Sequence, residues 1–358
     1  MNTKDRMTAF LLANAGPSIR LRVRREVLRD IPPAEEAALL REIAGEPVYT
    51  LVAACQKENG WLGNGFHGPN KNAGPYENQE VGVKYLAEKG FGKENPVLCR
   101  AMEAFASVPL SDLCYRTHGK IYDEFKFAAN GQNLIRCACI ARAGFDDRID
   151  ITPQIQLSLD SFRRVLEVDS ILDVSRTIKS CKYRLFHNFE KWPCRYHFDI
   201  LAHTAGWKTE ENCRMLAEAF TRLMRTDRPE YMGLGAISWP GHALGTLGCF
   251  TEGFSTRKKT DGASLIQLET VEWMCRCGLY PYLPALREDV RTLLDSVDAE
   301  GICRAQVDEE WLQHISTYGG QQLETDWKSP VRKLCDITFR ALLCGTCADS
   351  PDLSAYGF

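Results

Sequence analysis

The stretch KYLAEKGFGKENPVLCRAMEAF, residues 84–105, carries a pattern that recurs three more times along the chain. It contains a helical run, a Gly, a large apolar residue, a short polar turn and a second helical run. The same order occurs in ACIARAGFDDRIDITPQIQLSLDSF (138–162), DILAHTAGWKTEENCRMLAEAF (199–220) and EWMCRCGLYPYLPALREDVRTLL (272–294). Apolar residues spaced three and four apart predict a helix on each side of every turn. The sequence therefore predicts four helical hairpins in a mostly helical chain.

A glycine marks the end of the first helix in each hairpin. A left-handed residue there satisfies the last backbone carbonyls, and an apolar residue just after it commonly packs back on the helix. We expect this arrangement at four Gly-apolar pairs, namely Gly90–Phe91, Gly144–Phe145, Gly206–Trp207 and Gly278–Leu279. Hairpins repeated in this way can stack in an open row or close into a ring.

Composition limits the classes of partner. The 358 residues are 44% apolar, and 44 basic against 47 acidic residues give a net charge of -3 without a run of five Lys or Arg. This pattern does not indicate nucleic-acid binding, and no apolar stretch of about 18 residues predicts a membrane span. Fifteen cysteines without a secretion signal favour reduced thiols. We expect a cytoplasmic protein with a small-molecule partner, whose oligomeric state the sequence does not specify.

The segment AGFDDRID, residues 143–150, contains the DDxxD spacing of a magnesium-diphosphate site. Aligned on the hairpin glycine, it occupies the turn that leads into the second helix. Carboxylates at that position cap backbone amides and interact favourably with the helix dipole. We favour capping for Asp146, Asp147 and Asp150, and binding of Mg²⁺ is the alternative.

Zinc is a second open alternative. Cys344 and Cys347 form a CxxC pair, but no second pair of ligands is evident at similar spacing. The sequence therefore requires no cofactor and predicts no metal ligands, and Mg²⁺ or Zn²⁺ would need support from the structure.

The segment YTLVAACQKENGWLG, residues 49–63, resembles the QW motif of squalene and oxidosqualene cyclases. Tyr49, Gln56, Gly60 and Trp61 correspond to the motif, although one residue between Gly and Trp is missing. The hairpins, the opening AGPSIRLRVRREVLRDIP (15–32) and the ending KSPVRKLCDITFRALL (328–343) are similar to bacterial prenyltransferase and squalene-oxidase repeat proteins.

This resemblance implies an all-α fold, an (α/α) toroid of the terpenoid cyclase and protein prenyltransferase type. It implies one toroid domain over residues 1–358, with 1–45 as an N-terminal helical segment packed on it. The chain departs from the characterised enzymes, because it has no DxDD acid motif. We do not expect the zinc-binding DxC pair either, since the CRC tripeptide at Cys275–Cys277 lacks the Asp.

Candidate site residues lie mainly in the long segments before the first helix of each hairpin. These segments mix His, Trp, Tyr and carboxylates, which can build an apolar pocket with a few polar groups. The candidate catalytic residues are His197, Asp199, Tyr196, Asp123, Glu124 and His67. The candidate substrate-binding residues are Trp61, His118, Tyr122, His187, Trp192, Trp239, His242, Trp311, His314 and Tyr318.

The best constellation is Trp192, Tyr196, His197 and Asp199, because Tyr196 and Asp199 are three residues apart and can share a helix face. The competing interpretation is a helix start, with Pro193 in the first turn and Trp192 packed as a staple.

Three functions remain open at this point. The first is an enzyme that binds a hydrophobic, isoprenoid-like substrate in an aromatic cavity and acts by acid/base or cyclisation chemistry. The second is a carbohydrate-active lyase, hydrolase or epimerase on the same fold. The third is a non-catalytic binding protein.

Overall fold

A computed structural model describes twelve stretches of the chain, and the structural statements below concern these residues. They are 2–66, 76–109, 116–117, 120–121, 132–169, 171–177, 184–186, 192–223, 235–236, 245–246, 265–307 and 322–350. The chain packs as two compact units, residues 1–104 with 255–357 and residues 105–254. We call them unit 1 and unit 2 and describe each by itself. The expected single domain over 1–358 stays a prediction.

Helices dominate the described residues, so the predicted all-α class is confirmed. The α-helices of unit 1 are α1 (Thr3–Asn14), α2 (Pro17–Arg22), α3 (Pro33–Ala44), α4 (Pro47–Ala54), α5 (Gln79–Glu88), α6 (Pro96–Ser107, which runs into unit 2), α11 (Leu265–Arg276), α12 (Pro284–Asp295) and α13 (Pro330–Asp349); a π-helix (Val23–Leu28) continues α2. Those of unit 2 are α7 (Gln132–Arg142), α8 (Thr152–Glu167), α9 (Arg195–Ala202) and α10 (Glu210–Leu223). None of the described helices has both the length and the apolar character needed to cross a bilayer.

The strands of unit 2 are only two or three residues long. They are β1 (Arg116–Thr117), β2 (Lys120–Ile121), β3 (Ser175–Thr177), β4 (Arg184–Phe186), β5 (Gly235–Ala236) and β6 (Gly245–Thr246). β1 pairs with β2, and β3 to β6 form a second small sheet in chain order. These strands connect helices and do not build a separate layer.

The four predicted hairpins are confirmed as α5–α6, α7–α8, α9–α10 and α11–α12. Three of the four glycine caps also form as predicted. Gly90, Gly144 and Gly278 have φ values of 92°, 69° and 72°. The apolar residue that follows each of these glycines donates its backbone N–H to the carbonyl five residues earlier, as Phe91 does to Leu86 at 3.1 Å.

The prediction for Gly206 is wrong, because this glycine is not among those with positive φ. Helix α9 ends at Ala202, and three further residues precede the glycine. Trp207 still packs back, since it is buried and its Nε1 donates to the Leu201 carbonyl at 3.0 Å. The apolar contact is therefore kept without the left-handed cap.

The two helices of a hairpin differ in burial. The first helices, α5, α7 and α9, are buried on nearly every side, and so are the described side chains of α11. The second helices, such as α10, bury one face, with Leu216 and Phe220 inside and Glu210 and Arg214 exposed. A helix that is buried all around belongs to the interior, and an amphipathic one covers it.

Buried charges join the N-terminal helices of unit 1 to its C-terminal part. Arg276 at the end of α11 donates to Glu272 at 2.7 Å and to Glu26 of the π-helix at 2.7 Å. Arg22 donates to the same Glu26 and to Glu88 of α5 at 3.1 Å. Four elements therefore share one chain of ion pairs.

Helix α13 extends this connection. Its residue Arg340 is fully buried and lies 3.9 Å from Glu272, and the Arg22 guanidinium lies over the Phe339 ring at 5.0 Å. Asp336 accepts the backbone N–H of Leu323 at 2.9 Å and the Trp327 Nε1 at 2.9 Å. These hydrogen bonds fix the segment that contains Leu323 and Trp327 to α13.

Two glycine turns allow helices to approach closely. Gly60, after α4, and Gly301, after α12, have φ values of 85° and 83°. A Cβ on Gly60 would overlap the Arg100 backbone of α6, and one on Gly301 would overlap the Arg6 backbone of α1. The turn after α12 therefore lies directly against α1, and the turn after α4 lies directly against α6.

We expect Gly301→Ala to destabilise the protein by at least about 2 kcal/mol, because the new Cβ combines an unfavourable φ with a backbone overlap. The matched control is Gly206→Ala, since no atom lies within 4 Å of a Cβ there and φ is not positive. It should change stability by less than about 1 kcal/mol. Urea unfolding measures both, and equal effects would contradict the account of the turn.

We expect Glu26→Gln to cost about 3–5 kcal/mol, because two buried guanidinium groups lose their shared carboxylate. Glu210→Gln is the control, since Glu210 and its partner Arg214 are 67% and 63% exposed. An exposed ion pair contributes less than about 1 kcal/mol, so Glu210→Gln should lower the free energy of unfolding by no more than that in the same urea experiment.

The pH dependence of the same variant has a defined sign. Burial would raise the pKa of Glu26, but Arg22 and Arg276 outweigh it and lower the pKa to about 2. A carboxylate with a lowered pKa stabilises the folded state above its ordinary pKa, and this contribution is lost as the pH falls towards the lowered value. The stability difference between wild type and Glu26→Gln should therefore narrow below about pH 4.5. A stability difference between the two proteins that stays constant with pH would contradict the role of ionised Glu26.

Candidate functional site

The candidate site of unit 2 lies at the start of α9. Cys194 is the N-cap residue of this helix, with φ -132° and ψ 176°. His197, three residues later, accepts the Cys194 backbone N–H on its Nδ1 at 3.0 Å. This bond is the part of a capping box that Glu or Gln usually supplies. A helix does start here, with Cys194 and His197 as the capping pair, but Pro193 lies before the N-cap and not in the first turn as expected.

The capping bond fixes the tautomer of His197. Because Nδ1 is the acceptor, the proton of the neutral ring is on Nε2. His197 is 1% exposed, and its Nε2 finds no hydrogen-bond partner among the described residues. Burial lowers the pKa of His197 to about 3, so the imidazole is neutral at physiological pH. The ring is therefore a neutral hydrogen-bond donor.

Asp199 forms a buried polar group with two neighbours. Its Oδ1 accepts from Arg142 Nε at 3.1 Å and lies 2.9 Å from Nδ1 of His203. His203 Nδ1 is also 2.8 Å from the Asp199 carbonyl. The side chains of Arg142, Asp199 and His203 are 2%, 1% and 6% exposed. The ion pair of Arg142 and Asp199 fastens the end of α7 to α9, and the carboxylate balances the charge of Arg142 inside the protein.

Three aromatic side chains of the same segment are also buried. Trp192, Tyr196 and Phe198 are buried. Phe198 meets Phe220 of α10 with ring centroids 4.9 Å apart. The start of α9 therefore combines a dense apolar environment with one buried neutral donor.

The chemical state of the two central residues limits what they can do. A neutral imidazole with its proton on Nε2 polarises an oxygen, but it donates a proton poorly at neutral pH. Asp199 is held by a guanidinium, which favours its ionised form. The catalytic roles of His197, Asp199 and Tyr196 stay predictions, and the geometry itself supports binding.

Two buried partners of this group were not singled out from the sequence. His203 could have been found, because it lies four residues after Asp199 and shares its helix face. Arg142 could not, because it comes from another hairpin and only the packing of α7 on α9 brings it to Asp199.

Trp61 lies in unit 1, in the turn that resembles a QW motif. Its Nε1 donates to the Gly65 carbonyl at 3.3 Å, and its ring stacks on Phe66 with centroids 5.9 Å apart. Gln56 donates its amide to the Gly60 and Val97 carbonyls at 3.0 and 2.8 Å. In the structure these residues hold the turn after α4 against α6.

The other candidate site residues lie outside the described residues. They are Asp123, Glu124 and His67 of the catalytic group and His118, Tyr122, His187, Trp239, His242, Trp311, His314 and Tyr318 of the binding group. The expectation that DxC is absent is corrected by the sequence itself, because Asp112, Leu113 and Cys114 have this spacing. They also lie outside the described residues, so the structure does not test a zinc site there.

The DDxxD segment has a structural role at its last carboxylate. Asp150 Oδ1 accepts the backbone N–H of Thr152, the first residue of α8, at 2.9 Å. Hydrogen bonding with the Thr152 side chain, and then with its backbone N–H, lowers the pKa of the exposed Asp150. Capping of α8 by Asp150 is confirmed.

Neither metal alternative gains support from the residues described. The thiols of Cys344 and Cys347 are buried in α13, and burial raises the pKa of Cys344 and of nearby Cys275 well above the usual value. Such thiols remain protonated, whereas metals bind thiolates. Over the described stretches, no group of three or more His, Cys, Asp or Glu side chains could hold a metal ion.

Glu324 in unit 1 is another buried carboxyl with a shifted pKa. Burial, together with the charge of Asp336, raises its pKa to about 7. Its Oε1 accepts the backbone N–H of Gly16 at 2.9 Å, at the N-cap of α2. This contact is a helix cap and explains the position of Glu324 without a ligand.

Comparisons of the chain with known protein families, with curated proteins and with solved structures find no match.

Proposed function

We propose that this protein binds a largely apolar small molecule at the start of α9, against the inner helices of an (α/α) toroid. The observation that carries the proposal is that Trp192, Tyr196, Phe198 and His197 are all buried at one helix start, where the His197 Nε2 finds no hydrogen-bond partner among the described residues. Small-molecule sites are mostly apolar and contain a few polar groups that orient the ligand.

The alternation of helices supports the toroid. Buried helices α5, α7, α9 and α11 are each followed by an amphipathic partner. Within unit 1, the buried helix α13 packs against α11, against the α2 and π-helix segment, and against α1. Helix α1 thus covers part of α13. An N-terminal helix that completes the last helix pair is the arrangement expected of a ring.

The resemblance of residues 49–63 to a QW motif supports an apolar ligand, as in the cyclases that carry this motif. The described residues do not support the cyclisation or acid/base part of that chemistry. His197 is neutral and Asp199 is bound to Arg142, so neither is poised to protonate a substrate at neutral pH. The proposal therefore concerns binding, and turnover is a separate outcome of the test.

A carbohydrate ligand is disfavoured by the same group. Sugar hydroxyls need several polar partners, whereas the side chains Trp192, Tyr196 and Phe198 at the start of α9 are mostly aromatic surface. Recognition of a uronic acid would need an available arginine, and Arg142 is engaged by Asp199.

We expect a series of apolar probes to raise the melting temperature, because a ligand that binds only the folded state stabilises it. The series contains geraniol, farnesol and geranylgeraniol, with farnesene and farnesyl diphosphate as chain-matched relatives. Cellobiose and digalacturonate should have no effect. Scanning calorimetry measures the shift, and chromatography of the same samples detects any product.

Trp192→Phe should reduce the shift, since it removes ring area from the proposed site. Trp207→Phe is the matched control, because Trp207 is also buried in unit 2 but packs on the end of α9 through Leu201. The proposed function would be refuted if only the sugars raised the melting temperature, or if none of the probes raised it.

A further inference from the structure

We propose that the ligand at the start of α9 presents an uncharged hydrogen-bond-accepting oxygen, that of an alcohol, ether or ketone, to the Nε2–H of His197. This inference rests on the proposed function and adds the chemical class of the group that is recognised. His197 acts here as a binding residue.

The direction of the hydrogen bond follows from the helix cap. The Cys194 N–H occupies the Nδ1 acceptor of His197 at 3.0 Å, so the other ring nitrogen carries the proton and can only donate. A matching ligand atom must therefore be an acceptor. A protonated ligand amine or a metal ion would need the opposite tautomer and would break the cap.

The charge of the ligand group follows from the neighbours of His197. Burial keeps the ring itself neutral. The nearby cation of this polar group, Arg142, is 3.1 Å from Asp199, and His203 lies against the same carboxylate. Asp199 already balances the charge of Arg142, so a diphosphate or carboxylate would add a second buried negative charge beside it, which is costly.

A hydrocarbon is also a poor match. It would fill the apolar surroundings but leave the buried Nε2–H without an acceptor, and an unsatisfied buried donor opposes binding. The site should therefore prefer a ligand with an uncharged oxygen over a pure hydrocarbon and over an anion.

The test compares three molecules with the same chain, namely farnesol, farnesene and farnesyl diphosphate with Mg²⁺, by calorimetric titration of the full-length protein. We expect farnesol to bind about tenfold more tightly than farnesene, the value of one net hydrogen bond. Farnesyl diphosphate should bind more weakly than farnesol.

Variants of His197 separate the donor from the cap. In His197→Asn, the amide oxygen can take the place of Nδ1 and keep the cap, while the donor at Nε2 is lost. In His197→Gln, the amide nitrogen reaches the place of Nε2. We expect His197→Asn to bind farnesol about as weakly as farnesene, and His197→Gln to keep most of the affinity.

Thr204→Val is the matched control, because Thr204 is a buried donor after the same helix whose hydroxyl is already bonded to the Ile200 carbonyl at 2.8 Å. Equal binding of all three molecules, or farnesol binding unchanged in His197→Asn, would overturn the inference while the proposed function stands. Tightest binding of the diphosphate would overturn it in the same way. Failure of all three probes to bind would overturn both.

Discussion

The ion pair between Glu26 and Arg276, at 2.7 Å, joins residues that are 250 positions apart in the chain. Buried charges are stable only when they are paired, so this contact fixes the π-helix against the end of α11. Glu26 also binds Arg22, which reaches Glu88 of α5. The N-terminal helices are therefore an internal part of unit 1, in which α1 packs against α13.

The buried polar residues of unit 2 include a neutral side chain, His197, beside an ion pair. Asp199 pairs with Arg142 and lies against His203, and these contacts fasten α7 to α9. His197 stands apart, because its cap uses only one ring nitrogen. The helix start that gives His197 its structural role also fixes the chemistry of its other nitrogen. The helix cap and the proposed binding role thus meet in a single side chain.

Local patterns predicted much of the fold. The hairpins and the caps at Gly90, Gly144 and Gly278 follow from short-range sequence signals, which the structure keeps. Gly206 differs, because α9 ends early and Trp207 makes the closing contact through its indole N–H. The ion pairs of Glu26 and Arg276 had no local signal, since their partners lie far away in sequence.

The candidate site shows the same limit. The group of Trp192, Tyr196, His197 and Asp199 was visible in the sequence as aromatic and polar residues at a helix start. Neither the tautomer of His197 nor the pairing of Asp199 with Arg142 could be predicted, because both depend on backbone geometry and on a neighbouring hairpin.

The most direct test of this account is ¹⁵N NMR of the histidine rings in the ligand-free protein, with His197 assigned by the His197→Asn variant. We expect a neutral ring protonated on Nε2 that does not titrate between about pH 8 and pH 5, because its pKa is lowered to about 3. A proton on Nδ1, or a titration near the ordinary histidine value of about 6.5, would contradict the account.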